Sequence, residues 1–154
     1  MNLKKIALVA HDSRKQEMIE WATYNAVTLS NYQLFATGTT ARLLQGISTE
    51  DVDHLDVTAM LSGPLGGDQQ IGTMIAQKDI DMLIFFCDNL AVQGHQNDVS
   101  ALSRLASLYN IPFATNRTTA DMLLTSSLIN DEEYTPKVPS FSTYINRQLF
   151  NIHQ

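Results

Sequence analysis

The chain has 154 residues, 44% of them hydrophobic, and a formal net charge of −6. This length and composition predict one folded globular domain over residues 1–154 and argue against a largely disordered chain. The negative charge argues against nucleic acid as the main partner, because neutralising phosphates needs clustered Lys and Arg; a small anion stays compatible, since one Lys and a few N–H groups suffice locally.

The cysteine content and the N-terminal run set two further limits. Cys87 is the only cysteine, which excludes an intramolecular disulfide and a multi-cysteine zinc site. The first apolar run, residues 6–10, is too short for a signal segment or a membrane span. We therefore expect a cytoplasmic protein that has no membrane partner.

Five largely apolar runs along the chain predict strands, and the first of them is apolar at every position: residues 6–10, 32–36, 57–61, 80–86 and 111–114. Segments with helical spacing of apolar residues lie between these runs. Strands that alternate with helices in this way predict an α/β domain with a mainly parallel sheet.

The first helix is expected after Asp12 or Ser13, either of which can act as its N-cap, and it should end at Asn31. A short helix over residues 41–45 should stop at Gly46. Further helices are expected after residue 67 to about residue 78, from near Asp98, through residues 122–124, and near residues 144–150.

A polar cluster follows each predicted strand. In a parallel sheet the carboxyl ends of the strands meet at one edge, and ligands bind outside that edge. The sequence therefore predicts a small-molecule site built from the five clusters, at residues 11–12, 37–40, 62–68, 88–98 and 115–121.

The glycine-rich stretch of residues 62–70 combines a tight turn with a predicted helix start. Its glycines allow close approach of the backbone to a ligand, and a helix N-terminus offers N–H groups and a positive dipole end. This pattern is typical of an anion cradle. Asp68 is the exception, because a carboxylate repels an anion and therefore needs another role.

The clusters divide into two chemical sets. Hydroxyls and backbone N–H groups suit a phosphate, and Lys15 can add a point charge. The alternatives are N-capping and turn formation for the Thr and Ser residues, and a solvated helix lysine for Lys15. The anion-binding candidates besides Lys15 are Thr37, Gly38, Thr39, Thr40, Ser62 and Gly63.

The second set, Asp68, Asp88, His95 and Asp98, suits proton transfer near neutral pH. Each member also has a plainer interpretation. Asp68 can complement a helix dipole, Asp98 can be an N-cap, and His95 can be a solvated loop residue. A strand-end histidine such as His11 can simply bond to the backbone.

Metal and nucleotide chemistry have weaker support. His95 and Asp98 are three residues apart, but no second His stands at ligand spacing and no HExxH pattern exists. The glycine-rich stretch lacks the GK[ST] of a P-loop. Cys87, directly after a buried strand, is expected to be a packed small residue.

Several of these motifs together resemble the methylglyoxal synthase family. The resemblance rests on residues 7–12 with Lys15 and Gln16, and on residues 36–40, 60–70, 81–86 and 111–116. It implies a three-layer doubly wound domain with a mainly parallel five-stranded sheet. It also implies conversion of dihydroxyacetone phosphate to methylglyoxal and inorganic phosphate, with no cofactor and no metal.

The resemblance also implies a role for each candidate residue. Asp68 would be the general base, His95 would hydrogen-bond the substrate carbonyl, Asp98 would be a second carboxylate, and Asp88 would help shape the site. The anion-binding set would hold the phosphate group, and His11 and Asp12 would line the site.

The family further implies a phosphorylated small-molecule substrate, inhibition by inorganic phosphate, and a homo-hexamer. The loop over residues 88–98 departs from the family pattern, which has three prolines that this chain lacks. We therefore expect the backbone conformation of this loop to be less restricted. Two alternatives stay open. One is a non-catalytic sensing module like the allosteric domain of carbamoyl phosphate synthetase, and the other is a metal-dependent hydrolase that uses His95 and Asp98.

Overall fold

The computed structural model describes residues 3–91 and 96–152. Its strands form one sheet in the order β3-β2-β1-β4-β5, and every neighbouring pair is parallel. The predicted α/β fold with a mainly parallel five-stranded sheet is confirmed. The strands are β1 Lys5–Ala10, β2 Gln33–Thr37, β3 Val57–Met60, β4 Met82–Phe86 and β5 Phe113–Ala114.

Helices and two short 3-10 turns connect the strands. The 3-10 turns span Asp12–Arg14 and Gly63–Leu65, and each lies at the carboxyl end of a strand. The helices are α1 Lys15–Tyr24, α2 Ala26–Leu29, α3 Gly38–Gln45, α4 Gly67–Ala76, α5 Gln96–Leu108, α6 Arg117–Leu124 and α7 Ser142–Ile152.

The inner strands β1 and β4 are buried on both faces, and helices cover the sheet from both sides, so the domain is three-layered and doubly wound as expected. Ile6 and Leu8 of β1 pack with α1, α2, α3 and α6 on one face. Ala7 and Val9 pack with α4 and α5 on the other face. Because neighbouring side chains of a strand point to opposite faces, a strand covered on both sides is apolar at every position.

The prediction of one helix as far as Asn31 was wrong. The helix breaks at Asn25, whose side-chain amide donates to the Trp21 carbonyl at 2.9 Å and to Asp121 Oδ1 at 3.4 Å. An amide that bonds to a nearby backbone carbonyl competes with helical hydrogen bonding. The Trp21 indole also donates to Asp121, at 2.9 Å, which ties α1 to α6.

The expected N-cap was also wrong. Asp12 and Ser13 lie inside the first 3-10 turn, whose N-cap is His11, and α1 begins only at Lys15. The turn keeps residues 12–14 close to the sheet edge, where Ser13 and Arg14 contact the residues that follow β4.

The helix predicted to begin at Ala41 begins at Gly38, so most of the polar cluster 37–40 lies in the first turn of α3. The polar clusters nonetheless follow the strands at one edge of the sheet. The strand order reverses between β1 and β4, which makes this the switch point where such folds bind ligands. In the described part of the chain, no helix has the length and apolar character needed to cross a membrane.

Candidate active site

A cavity of about 260 Å³ opens at the carboxyl edge of the sheet. It gathers most of the predicted site residues, although they come from the separate segments at the ends of β1, β2 and β3 and from α5. Its walls are Val9, Ala10, His11, Asp12, Lys15, Thr37, Gly38, Thr39, Ser62, Gly63, Pro64, Asp68, Phe85 and Asp98.

Three predicted site residues are not among these walls. Thr40 is fully buried, and its hydroxyl has no hydrogen-bond partner among the described residues. Asp88 lies just beyond β4 with its carboxylate turned to other partners. His95 falls outside the described residues, so the structure gives it no place.

Two turns form the side of the cavity that carries most of the predicted anion-binding residues. Gly38 has a φ of +35°, and a Cβ placed on it would lie 2.6 Å from the Ser62 Cβ. A side chain there would force the turns after β2 and β3 apart, so the glycine lets them press together. Residues of both turns thereby line the same cavity.

The N-capping interpretation of the hydroxyls does not account for their side chains. Thr37 and Ser62 do occupy N-cap positions, of α3 and of the second 3-10 turn. Neither side chain makes a capping hydrogen bond. The hydroxyls of these two cavity residues are therefore not used for capping.

Lys15 is held at the cavity by an ion pair rather than being a solvated helix lysine. Its Nζ lies 2.5 Å from Asp12 Oδ1. The Lys15 side chain is 23% exposed and that of Asp12 is 91% exposed. The ion pair thus keeps the Lys15 ammonium at the cavity wall, beside a carboxylate that faces solvent.

Asp68 lies in the first turn of α4 and is half-buried in the cavity wall. The backbone around it is fixed by short-range bonds. The Ser62 carbonyl accepts from the Leu65 N–H at 2.9 Å and from the Gly67 N–H at 3.1 Å. The Gln70 side chain accepts from the Leu61 N–H at 2.8 Å, which fixes the end of β3 to α4.

Asp98 brings a second carboxylate to the cavity. It lies in the first turn of α5, which begins at Gln96, so it is inside the helix and does not precede it as an N-cap. Burial, and secondly the Asp98 carboxylate, raise the pKa of the neighbouring Cys87 thiol from 9.0 to about 11. The thiol donates to the Phe85 carbonyl at 3.3 Å, as expected of a packed small residue.

We expect Cys87 to resist alkylation in the native protein. Its raised pKa leaves about 100-fold less thiolate near pH 8 than an ordinary cysteine has, and the thiolate is the reactive form. The native rate with iodoacetamide should therefore be at least about 100-fold below that of the urea-unfolded chain. By the same shift, native stability should fall as pH rises from 9 towards 11. Equal alkylation rates in the two states would contradict this placement.

His11 has a defined tautomer. Its Nδ1 accepts a hydrogen bond from the Asp88 backbone N–H at 2.8 Å, and the ring stands edge-on to Phe85 with centroids 5.0 Å apart. A backbone N–H can only donate, so Nδ1 carries no proton and the neutral ring is protonated at Nε2. A strand-end histidine bonded to backbone, one of our alternatives, is therefore also a wall of the cavity.

Asp88 is held by two donors outside the cavity. The Ser13 hydroxyl donates to its Oδ2 at 2.5 Å, and the Leu90 N–H donates to its Oδ1 at 3.0 Å. The Ser13 bond, followed by the Leu90 bond, lowers the pKa of the Asp88 carboxyl. A carboxylate held in this way is suited to fixing a loop.

Sequence reasoning missed the apolar walls Val9, Ala10, Pro64 and Phe85. The signal for Phe85 was present, since it belongs to the apolar run of β4 and packs on the same face as Val9. Pro64 belongs to the glycine-rich stretch but was treated only as a turn former. These walls reduce the contact of the cavity with water.

A second cavity, of about 440 Å³, lies at the other end of the sheet, near Lys4, Tyr32 and Asp81. It is larger, but it holds neither of the two predicted chemical sets. Over residues 3–91 and 96–152, no group of three or more His, Cys, Asp or Glu side chains is arranged to hold a metal ion.

Comparison with known proteins gives a consistent result. Residues 17–115 match the MGS-like domain family. The chain is 51% identical over 149 residues to the methylglyoxal synthase of Proteus mirabilis, covering 95% of this chain and 92% of that protein. It is 49% identical over 147 residues to the methylglyoxal synthase of Coxiella burnetii, covering 96% and 99%.

A solved structure agrees with the sequence comparisons. The crystal structure of methylglyoxal synthase from Elizabethkingia anophelis superposes with a TM-score of 0.83 at 41% sequence identity. The match covers 94% of this chain and 91% of that one. Fold and sequence therefore lead to the same family.

Proposed function

The chain belongs to the methylglyoxal synthase family of enzymes, and from that premise we propose that its cavity converts dihydroxyacetone phosphate to methylglyoxal and inorganic phosphate. One observation carries the proposal. The 260 Å³ cavity joins an anion-binding set with two carboxylates from different helices, Asp68 and Asp98. A phosphorylated substrate that must lose a proton from carbon needs both.

The phosphate group binds where the turns after β2 and β3 meet. The hydroxyls of Thr37, Thr39 and Ser62 and the backbone N–H groups of Gly38 and Gly63 are the proposed partners. Lys15 supplies the compensating charge by exchanging Asp12 for the phosphate, which carries more negative charge. Thr40, buried behind this wall, supports it from within α3.

Asp68 acts as general base at the other end of the substrate. It removes a proton from the hydroxymethyl carbon, and the electron pair of that C–H bond moves towards the neighbouring carbonyl to give an enediolate. A positioned base contributes roughly 10²–10⁴-fold to such a step. The first turn of α4 holds the carboxylate beside the anion-binding turn, so phosphate binding sets its distance from the carbon.

The enediolate is stabilised by N–H donors in a partly closed cavity. His11 offers an N–H, since its Nδ1 is occupied by the Asp88 amide. We propose that His95 hydrogen-bonds the carbonyl side, as the family resemblance implies, and that Asp98 assists in moving protons. A neutral donor suits this task because it stabilises the oxyanion and keeps its own proton.

Phosphate then leaves. The hydroxyl on the deprotonated carbon becomes the aldehyde carbonyl, and its proton passes to the former carbonyl oxygen. The carbon–carbon double bond of the enediolate shifts by one bond as the C–O bond to phosphate breaks, which requires that C–O bond to stand perpendicular to the enediolate plane. The resulting enol takes a proton on its terminal carbon and becomes methylglyoxal. Because the anion-binding turns fix the C–O torsion, they favour elimination over isomerisation.

We propose that inorganic phosphate, as product, competes for the same anion-binding set. By the family resemblance we also propose a homo-hexamer and a cytoplasmic location. Ultracentrifugation of the purified chain tests the assembly, and a monomer at micromolar concentration would contradict it.

Replacing Lys15 with Met should weaken phosphate binding. A hydrogen bond to a charged group contributes roughly 1.5–3 kcal/mol, so KM for the substrate and the inhibition constant of inorganic phosphate should each rise by about 10–100-fold. The effect on kcat should be smaller, because the base and the N–H donors stay in place. Lys137→Met removes an exposed lysine outside the cavity and should leave both constants unchanged. An unchanged KM in the Lys15 variant would remove Lys15 from the phosphate site.

A turnover assay tests the function directly. Purified protein with dihydroxyacetone phosphate should release phosphate and methylglyoxal in equal amounts, with or without a chelator. Tight binding of the substrate with no turnover would instead favour a sensing module. Loss of activity in the presence of the chelator would favour a metal-dependent hydrolase.

A further inference from the structure

We propose that Ser13 and Arg14 are positioning residues that clamp the carboxyl end of β4, so that the Asp88 N–H holds His11 in its Nε2–H tautomer. The catalytic part of this inference depends on the proposed function, and the tautomer part does not. Neither Ser13 nor Arg14 lines the cavity, so any effect that they have on the reaction passes through other residues.

The clamp consists of three hydrogen bonds from one short segment. The His11 N–H donates to the Phe86 carbonyl at 3.2 Å, and Arg14 Nε donates to the Cys87 carbonyl at 3.3 Å. The Ser13 hydroxyl donates to Asp88 Oδ2 at 2.5 Å. All three donors lie in the 3-10 turn over Asp12–Arg14 or at its N-cap, His11.

The chain after β4 needs such an anchor. Residues 88–98 contain no proline, so their backbone is not restricted by sequence alone. Asp88 is the point of attachment, because one carboxylate oxygen bonds to Ser13 and the other accepts from the Leu90 N–H at 3.0 Å. The Arg14 bond to the Cys87 carbonyl and the Ser13 bond to the Asp88 side chain together fix the orientation of the peptide group that joins Cys87 and Asp88.

That peptide in turn fixes His11. Its N–H donates to His11 Nδ1 at 2.8 Å and excludes a proton from that nitrogen. Without the clamp the peptide can rotate, the two neutral tautomers become closer in energy, and part of the population loses the proton at Nε2. An imidazole without that proton cannot donate to an enediolate from Nε2.

The first experiment reads the tautomer without substrate. Nitrogen NMR of histidine-labelled protein should show His11 as the Nε2–H tautomer in the unchanged chain. Ser13→Ala should move its nitrogen shifts towards a mixture, and Ser13→Thr, which keeps the hydroxyl, should restore them. Gln16→Ala removes an exposed bond to Glu20 on the same helix and should change nothing.

The second experiment is a double-mutant cycle on kcat. Ser13→Ala and Asp88→Ala should each lower kcat by roughly three- to tenfold, with KM and phosphate inhibition within about twofold of their original values. The double variant should be no slower than Asp88→Ala alone, because Asp88→Ala already removes the Ser13 contact together with the Leu90 contact.

Three results would overturn the clamp: unchanged His11 shifts in Ser13→Ala, multiplied effects in the double variant, or no rescue by Thr. These results are separable from failure of the proposed function. A chain with the expected His11 shifts and no turnover of dihydroxyacetone phosphate would contradict the function and leave the clamp standing.

Discussion

Asp68→Asn is expected to lower kcat by about 10²–10⁴-fold while the protein stays folded. The amide matches the carboxylate in size but cannot accept the proton from carbon. Asp68 is only half-buried and lies in the first turn of α4. Loss of its favourable interaction with the helix dipole should therefore cost no more than about 1 kcal/mol of stability.

Phosphate binding distinguishes this loss from general damage to the site. Removing a negative charge from the wall that holds the anion should leave the affinity for inorganic phosphate unchanged or improve it. Asp51→Asn, which changes an exposed acid outside the cavity, is the matched control and should keep full activity. Full activity in the Asp68→Asn variant would show that Asp68 is not the general base.

Gly67→Ala should damage both stability and activity. A Cβ on Gly67 would lie 1.8 Å from the Leu61 carbonyl oxygen and 2.9 Å from Thr37 Cγ2. Because the closest atom belongs to the backbone, the end of β3 and the start of α4 must separate. We expect a loss of about 1–3 kcal/mol in the free energy of unfolding. Because Asp68 is the next residue, we also expect a loss of about 10²-fold in kcat/KM.

Gly46→Ala is the control for this substitution. Its φ is −82°, and the nearest atom to a methyl group added there would be the Leu43 carbonyl oxygen at an ordinary 3.5 Å. Alanine should fit, with unchanged activity and stability equal to the original or up to about 1 kcal/mol higher. Thermal unfolding and kinetics of both variants provide the comparison. A Gly67 variant that melts and turns over like the unchanged protein would show that the turns can separate freely.

The sheet was predictable because its inner strands β1 and β4 are buried on both faces. A strand in that position has no polar side, so β1 and β4 stand out as continuous apolar runs. Because the strands are parallel, their carboxyl ends lie at one edge of the sheet, so the polar clusters that follow them could also be placed at that edge from the sequence. The helices were less predictable, since the first one ends at Asn25, whose amide bonds both to the Trp21 carbonyl and to Asp121, a residue far away in the sequence.

The residues of the candidate site could be predicted from their types, but the hydrogen bonds between them could not. Hydroxyls, glycines and acids after strands could be recognised from residue type alone. The bond between Ser13 and Asp88 spans 75 residues and leaves no local pattern. The tautomer of His11 also depends on a long-range contact, with the backbone N–H of Asp88. Because almost every residue has a backbone N–H, no residue type in the sequence indicates this contact.

Asp88 illustrates the limit most clearly. Its position after β4 and its residue type group it with the proton-transfer acids, and the family resemblance gives it only a shaping role. The structure turns its carboxylate to Ser13 and Leu90. Only the folded arrangement separates an acid that anchors a loop from the acids that line the cavity, Asp68 and Asp98.

The central claim is that this cavity takes a proton from carbon and then expels phosphate. Proton NMR of the reaction with dihydroxyacetone phosphate in D₂O tests it most directly. We predict equal amounts of phosphate and methylglyoxal, and one deuterium in the methyl group of methylglyoxal, because the enol takes its last proton from solvent. Formation of dihydroxyacetone and phosphate, or of glyceraldehyde 3-phosphate, would contradict it.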